Sequence, residues 1–324
     1  MKRSITLVLA LLVHLLTVAF VAGGVWMAAV NNADMILGWL VGGLLVAIGV
    51  MLRPRLGGRL PADAEVLERG AAGELYSAAE RVADRAGVPR PRAVAVRDLD
   101  PVSRYLRVGP LRRPVLVVGL PLWLALSPRQ RAAALALAYA EAPTVEELIV
   151  DGALATLGHW HEALLGAAPL DVRHEAQTKV LASSLGALDH PGTGYEAAGL
   201  IGRVIGRVLG APVLLVEHGL VRLARSDAAR VERRKEELAR RVVPAADLAE
   251  VRAMLAGGGY LAPMQAAALR GESVPAIREG ALGRASLPSS DSGSDLLGAA
   301  ESHRIDDELL RHYTRAIRGF GLIS

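Results

Sequence analysis

The chain has 324 residues, 52% of them hydrophobic, with 37 Lys and Arg against 33 Asp and Glu and no cysteine; its mean hydropathy is +0.32. The absence of cysteine excludes a disulfide framework and any thiolate site, so a metal would have to come from His, Asp or Glu ligands. A net charge of +4, 4% aromatic residues and no basic stripe interleaved with aromatics exclude a nucleic-acid partner, while the apolar excess points to a membrane segment plus one domain.

Ile5 to Val30 is an uninterrupted apolar run long enough to cross a bilayer, and Met35 to Leu52 is a second. The first run is too long for the apolar core of a signal peptide, and a second span follows at once. Asn31 to Asp34 makes a short polar loop, with Trp26 and Trp39 near it where an aromatic belt would sit. Lys2 and Arg3 precede the pair and Arg53, Arg55 and Arg59 follow it, so the positive-inside rule puts the N-terminus and the main domain in the cytoplasm of an integral cell-membrane protein. Gly38 and Gly42 form a GxxxG pair suited to close helix packing, and His14 is an ionisable group inside a span that calls for an internal hydrogen bond.

Gly57 to Ala64 reads as a linker and Glu65 to Gly87 as an amphipathic helix, with Leu67, Leu75, Ala79 and Val82 at helical spacing and Pro89 and Pro91 ending it. Arg92 to Asp98 and Pro114 to Gly119 read as strands, with the basic turn Gly109 to Arg113 between them. LPLWLALSP is a helical approach to a buried helix over Leu126 to Glu141. Ser127 is its N-cap, Pro128 its first residue and Gln130 the capping-box partner.

Thr144 to Leu165 is helical, with Glu146 and Glu147 in its first turn. His161-Glu162 and His174-Glu175 imitate the start of a zinc motif, but Leu165 and Thr178 stand where a second histidine would fall. His159 and His161, two apart, point to different sides of a helix. Tyr195 to Arg225 is an apolar, glycine-dotted segment interrupted by Arg203, Arg207 and Pro212; it reads either as membrane-associated or as a core helix. Val231 to Val243 is a charged helix with Glu and Arg at i,i+4. Residues 257–300 are rich in Gly, Ser and Ala and read as flexible, and ESHRIDDELLRHYTRAI closes the chain as a short helix packing on the domain.

Three pieces, LYSAAERVADRAGVPRPRAVAV, the strands around GPLRRPVLVVG and LPLWLALSPRQRAAALALAYA, together resemble the core of the HtpX-type membrane zinc metallopeptidases, a family that includes the CaaX prenyl endopeptidases. In that family the last piece ends in H-E-x-x-H, two histidines on one helical face holding zinc and a glutamate polarising the attacking water. In register, Leu137 and Glu141 stand for the histidines and Ala138 for the glutamate. A later motif resembling S-R-x-x-E-x-x-A-D carries the third ligand; Arg225 fits it, Ala228 stands at the ligand and Glu232 at the aspartate. Sliding the frame by one offers Asp227 as ligand but loses the match at Arg225. Ser302-His303 resembles the family's T-H-P element, with Arg304 in place of the proline, which makes His303 a candidate cleft residue whose expected role is packing and hydrogen bonding.

The resemblance implies a mainly α (α+β) fold, a transmembrane helical hairpin over residues 1–56 followed by a zincin-like domain with a small sheet over 57–256, then the flexible segment and a C-terminal helix over 301–324. It also implies that the catalytic and zinc-binding residues have been replaced, so that no cofactor is expected. Three functions stay open: a membrane-anchored pseudopeptidase that binds a protein partner or a membrane protein segment; an active zinc peptidase on another register, with ligands drawn from His159, His161, His174 or His218; and an unrelated membrane scaffold. Lipid is a partner in all three.

Overall fold

The computed structural model describes residues 2–30, 36–51, 58–109, 111–165, 193–284 and 295–320. The chain is mostly helical with a small mixed sheet and one long apolar N-terminal helix. It divides into two units that interleave in sequence, Met1–Leu56 with Pro143–Ala228, and Gly57–Ala142 with Ala229–Ser324.

The first unit contains α1 (Lys2–Val30), α2 (Ile36–Met51), α6 (Val145–Leu165) and the first part of α7 (Thr193–Arg240), which runs unbroken through position 212. Its core is Ala10 and Val13 of α1, Ala153, Leu157 and Trp160 of α6, and Val213 and Leu220 of α7; Phe20 meets the Trp160 ring edge-on at 6.3 Å. Apolar side chains also point outward: Leu15, Val18 and Trp26 of α1 and Ile36, Leu40 and Leu44 of α2 are all exposed. Among the described residues one helix, Arg3–Val30, is long and apolar enough to cross a membrane, and the apolar stretch of α2, Gly38–Val50, is shorter. Gly42 does mark a close crossing, but its counterpart is on the facing helix: a Cβ on Gly24 would lie 2.7 Å from the Gly42 carbonyl oxygen. His14 has the internal partner its position calls for, with Nε2 3.0 Å from the Ile149 carbonyl of α6.

The second unit is built on a four-stranded sheet in the order β1-β2-β4-β3, from β1 (Ala64–Leu67), β2 (Ala93–Arg97), β3 (Arg104–Val108) and β4 (Arg113–Gly119). This corrects two readings. The segment taken as one helix from Glu65 begins as edge strand β1, antiparallel to β2, and the helix α3 is confined to Gly73–Ala86. The two expected strands are not joined by the basic turn. They are parallel neighbours, and the turn joins β4 to the additional strand β3, antiparallel on its outer side. The alternation in β2 and β4 shows why the sheet stands: Val94, Val96, Leu116 and Val118 face the main core, while Ala95, Val115 and Val117 face a smaller cluster with Leu60 and Leu106.

Helices cover the main-core face. α4 (Leu120–Ala125) leads from β4 into α5 (Pro128–Ala140), whose capping box is complete: the Ser127 hydroxyl accepts from the Gln130 backbone N–H and the Gln130 side chain accepts from the Ser127 N–H. α5 is buried nearly all round, as a helix without a polar face must be. α8 (Ala245–Gly257), α9 (Leu261–Leu269), α10 (Val274–Arg284) and α11 (Ala299–Phe320) complete the unit. Two helices therefore occupy the stretch expected to be flexible, because Met264, Ala267, Ile277 and Ala281 recur at helical spacing and are buried in the core; residues 285–294 of that stretch lie outside the described ones.

α11 clamps the unit together. Its Glu308 carboxylate accepts the backbone N–H groups of Glu74 (2.8 Å) and Leu75 (3.1 Å), capping α3, whose own N-cap residue Ala72 has no side-chain acceptor. Arg315 pairs with Glu65 of β1 and with Asp98 just beyond β2.

Candidate functional site

The positions that the resemblance assigns to zinc chemistry lie on α5 and α7. Leu137 is partly buried at the rim of the core and Ala138 is fully buried in it. The position of the general base thus faces packed side chains. Glu141 is the C-cap residue of α5, with its carboxylate more than half exposed. On α7, Ala228 is exposed and Glu232 follows one turn later, also exposed.

The structure brings Glu141 and Glu232 together, around a cation from the protein itself. The Lys235 ammonium lies 3.1 Å from a carboxylate oxygen of each, and the neighbouring Arg234 donates to the Ala142 carbonyl at 2.9 Å. Burial pulls the Lys235 amine down, but its hydrogen bonds to Glu141 and Glu232 outweigh that and raise it above its ordinary value, so it is charged at neutral pH. Zinc does not fit this set. Leu137, Ala138 and Ala228 offer no donor atoms, and the two carboxylates that could bind already share the Lys235 ammonium.

The described histidines have other surroundings. His159 Nδ1 is 2.5 Å from the Ala155 carbonyl within its own helix, and His161 pairs with Glu217 of α7 at 3.1 Å. His218 and His303 are exposed, and His174 lies outside the described residues. The packing role expected of His303 belongs to its neighbour Ser302, which is buried. Among the described residues no three His, Asp or Glu side chains are grouped to hold a metal ion.

Sequence reasoning missed the polar cluster at the heart of the second unit. Arg131 of α5 is fully buried. Its guanidinium donates to the Trp123 carbonyl (3.1 Å), to the Ser302 carbonyl and hydroxyl (3.1 and 2.8 Å) and to Asp306 (2.6 Å), and lies over the Trp123 ring. Asp306 also accepts from Tyr313 at 3.0 Å and lies 2.8 Å from Arg278. Burial pushes the Asp306 carboxyl up, against the pull of Arg131. The signal was present: Arg131 is a charged residue in a helix with no exposed face.

A second buried polar group gives a pH prediction. His312 of α11 is fully buried; its Nε2 accepts from Arg311 at 3.0 Å, and its Nδ1 faces Arg315 at 3.3 Å and Glu65 at 3.6 Å. Burial lowers its pKa, the Glu65 carboxylate opposes that, and Arg311 and Arg315 lower it further. A histidine held neutral in the fold favours folding fully above its unfolded pKa of about 6.5, and that stability is lost as pH falls toward the lowered folded value. Denaturation midpoints measured from pH 7.5 to 5 will fall with acidification, by at most about 1.4 kcal/mol per pH unit from this group, and His312→Gln will flatten that slope. An unchanged slope in the variant would remove His312 from the account.

No family model, no curated protein and no solved structure matches the chain.

Proposed function

We propose that this chain is a membrane-anchored, peptidase-like binding protein without hydrolytic chemistry. In this reading α1 and α2 form a hairpin through the bilayer, with the N-terminus and the second unit on the cytoplasmic side. The second unit is a zincin-like frame that holds a protein partner or a membrane protein segment without cutting it. The observation that carries the proposal is Lys235, seated between Glu141 and Glu232 at two of the positions where the resemblance expects metal-site residues. An internal ammonium takes the place between the two carboxylates that a cation would occupy, and Ala138 offers no base to activate water.

The membrane part rests on the 28-residue apolar helix Arg3–Val30 and on the outward-facing Leu15, Val18, Leu40 and Leu44. Arg3 at the start of α1 pairs with Glu146 at the start of α6 and feels Asp227 of α7, so one end of the first unit gathers the charges, and the exposed Arg222, Arg225 and Arg230 follow the apolar part of α7. That pattern suits a bundle whose charged end faces the cytoplasm, with Val213 and Leu220 of α7 in its core beside Ala10 and Val13 of α1.

Proteolysis tests the functional part. Full-length protein in lipid vesicles, given zinc and an unfolded protein substrate, will release no new amino termini above empty vesicles. Cleavage that survives Glu141→Gln and disappears in His161→Ala would overturn the proposal in favour of an active enzyme with other ligands.

A further inference from the structure

The end of the sheet where β3 turns into β4 collects arginines that no acid answers. Arg107, Arg112 and Arg113 belong to that hairpin. Arg92 joins them because its backbone N–H donates to the Pro114 carbonyl (2.8 Å) at the start of β4. Arg59 joins them because Gly58 is bridged to the hairpin base, its N–H donating to the Arg107 carbonyl (2.9 Å) and its carbonyl accepting from Gly109 (3.1 Å). Among the described residues none of these five has a carboxylate within 4.0 Å, and Arg107 Nε is buried without a hydrogen-bond partner. Elsewhere in the same unit many arginines are answered, among them Arg97 by Asp63 and Asp100, Arg129 by Asp247 and Arg315 by Glu65 and Asp98.

At the tip stands Leu111, 74% exposed. The turn that presents it is set by backbone geometry, with Gly109 at φ 74° and Arg112 at φ 47°, the one non-glycine residue with positive φ among the described residues. An apolar tip with arginines that meet no carboxylate at the same end of the sheet is complementary to a bilayer surface, where the tip enters the acyl boundary and the cations meet phosphates.

We propose that this hairpin end of the sheet is a docking surface for the anionic headgroups of a lipid bilayer, with Leu111 as its inserted tip. The proposal rests on the membrane reading above and adds a second, charge-dependent contact to it.

Because the chain has no cysteine, Leu111→Cys can carry a single environment-sensitive fluorophore on the full-length protein. In vesicles containing one quarter anionic phosphatidylglycerol the label will be quenched by spin-labelled lipid, and in neutral phosphatidylcholine vesicles much less so. Arg59→Ala and Arg113→Ala, both at exposed positions, will each weaken the docked state about fivefold, and raising the salt will do the same. A label at Leu15→Cys in α1 separates the possible failures. If position 15 is quenched and position 111 is not, the docking surface is wrong and the membrane anchor stands. If neither is quenched, the membrane reading fails and takes the docking surface with it. Equal quenching in neutral vesicles, or protection of position 111 by an oligonucleotide in place of anionic lipid, would also overturn the proposal.

Discussion

Arg131→Ala will destabilise the second unit by about 3–5 kcal/mol, the cost of leaving a buried ion pair without one partner. Arg131 has no exposed surface, and its three nitrogens tie α5 to α4 and α11, so removing it takes a bond from the Trp123 and Ser302 carbonyls and leaves the buried Asp306 carboxylate without its closest cation. Arg278 partly offsets the loss, since it already lies against the other Asp306 oxygen. Arg131→Met combined with Asp306→Leu will recover part of the stability, because removing both charges also removes the desolvation cost of the survivor. Chemical denaturation followed by tryptophan fluorescence reads this directly, with Trp123 beneath the guanidinium. A loss under about 1 kcal/mol would show that the cluster is solvated and does not hold α11 to α5.

Gly119→Ala will have the second largest effect, about 3 kcal/mol. Gly119 closes β4 and precedes α4, with φ and ψ of −83° and 109° that alanine adopts freely. The difficulty is space. An added Cβ would lie 2.6 Å from the Pro101 carbonyl oxygen and closer still to that of Asp100, both backbone atoms that cannot swing aside as a side chain would. The segment from Asp98 to Ser103 connects β2 to β3 and is pinned there by the Ser103 hydroxyl, which accepts the Gly119 N–H at 3.3 Å. Gly70→Ala, at a turn with nothing within 4 Å of the new atom, is the control and will change stability by less than about 0.5 kcal/mol. Equal losses at the two glycines would point to chain entropy and not to the close approach.

The contrast between these sites shows what the sequence could tell. The α5 capping box was legible because Ser127, Pro128 and Gln130 act within four residues of each other. The β2 and β4 runs were legible as strands for the same local reason, but nothing in a run of valines names its neighbour. The parallel pairing and the inserted β3 are products of tertiary packing. β1 was lost because four residues carrying Glu65 satisfy a helical pattern as easily as a strand. α9 and α10 were hidden by glycine and serine nearby, although Met264 and Ile277 supplied the apolar anchors. At the candidate site the missing donors at Leu137, Ala138 and Ala228 were readable from single positions. Lys235 was not, because its contact with Glu141 joins residues 94 apart in the chain.

The central claim is that the cation at Glu141 and Glu232 is Lys235 and not a metal. Elemental analysis of the detergent-purified protein, after dialysis against trace zinc, tests it most directly. The account predicts less than about 0.1 zinc per chain. Close to one zinc per chain, lost on His159→Ala or His161→Ala, would contradict it and place the metal on other ligands.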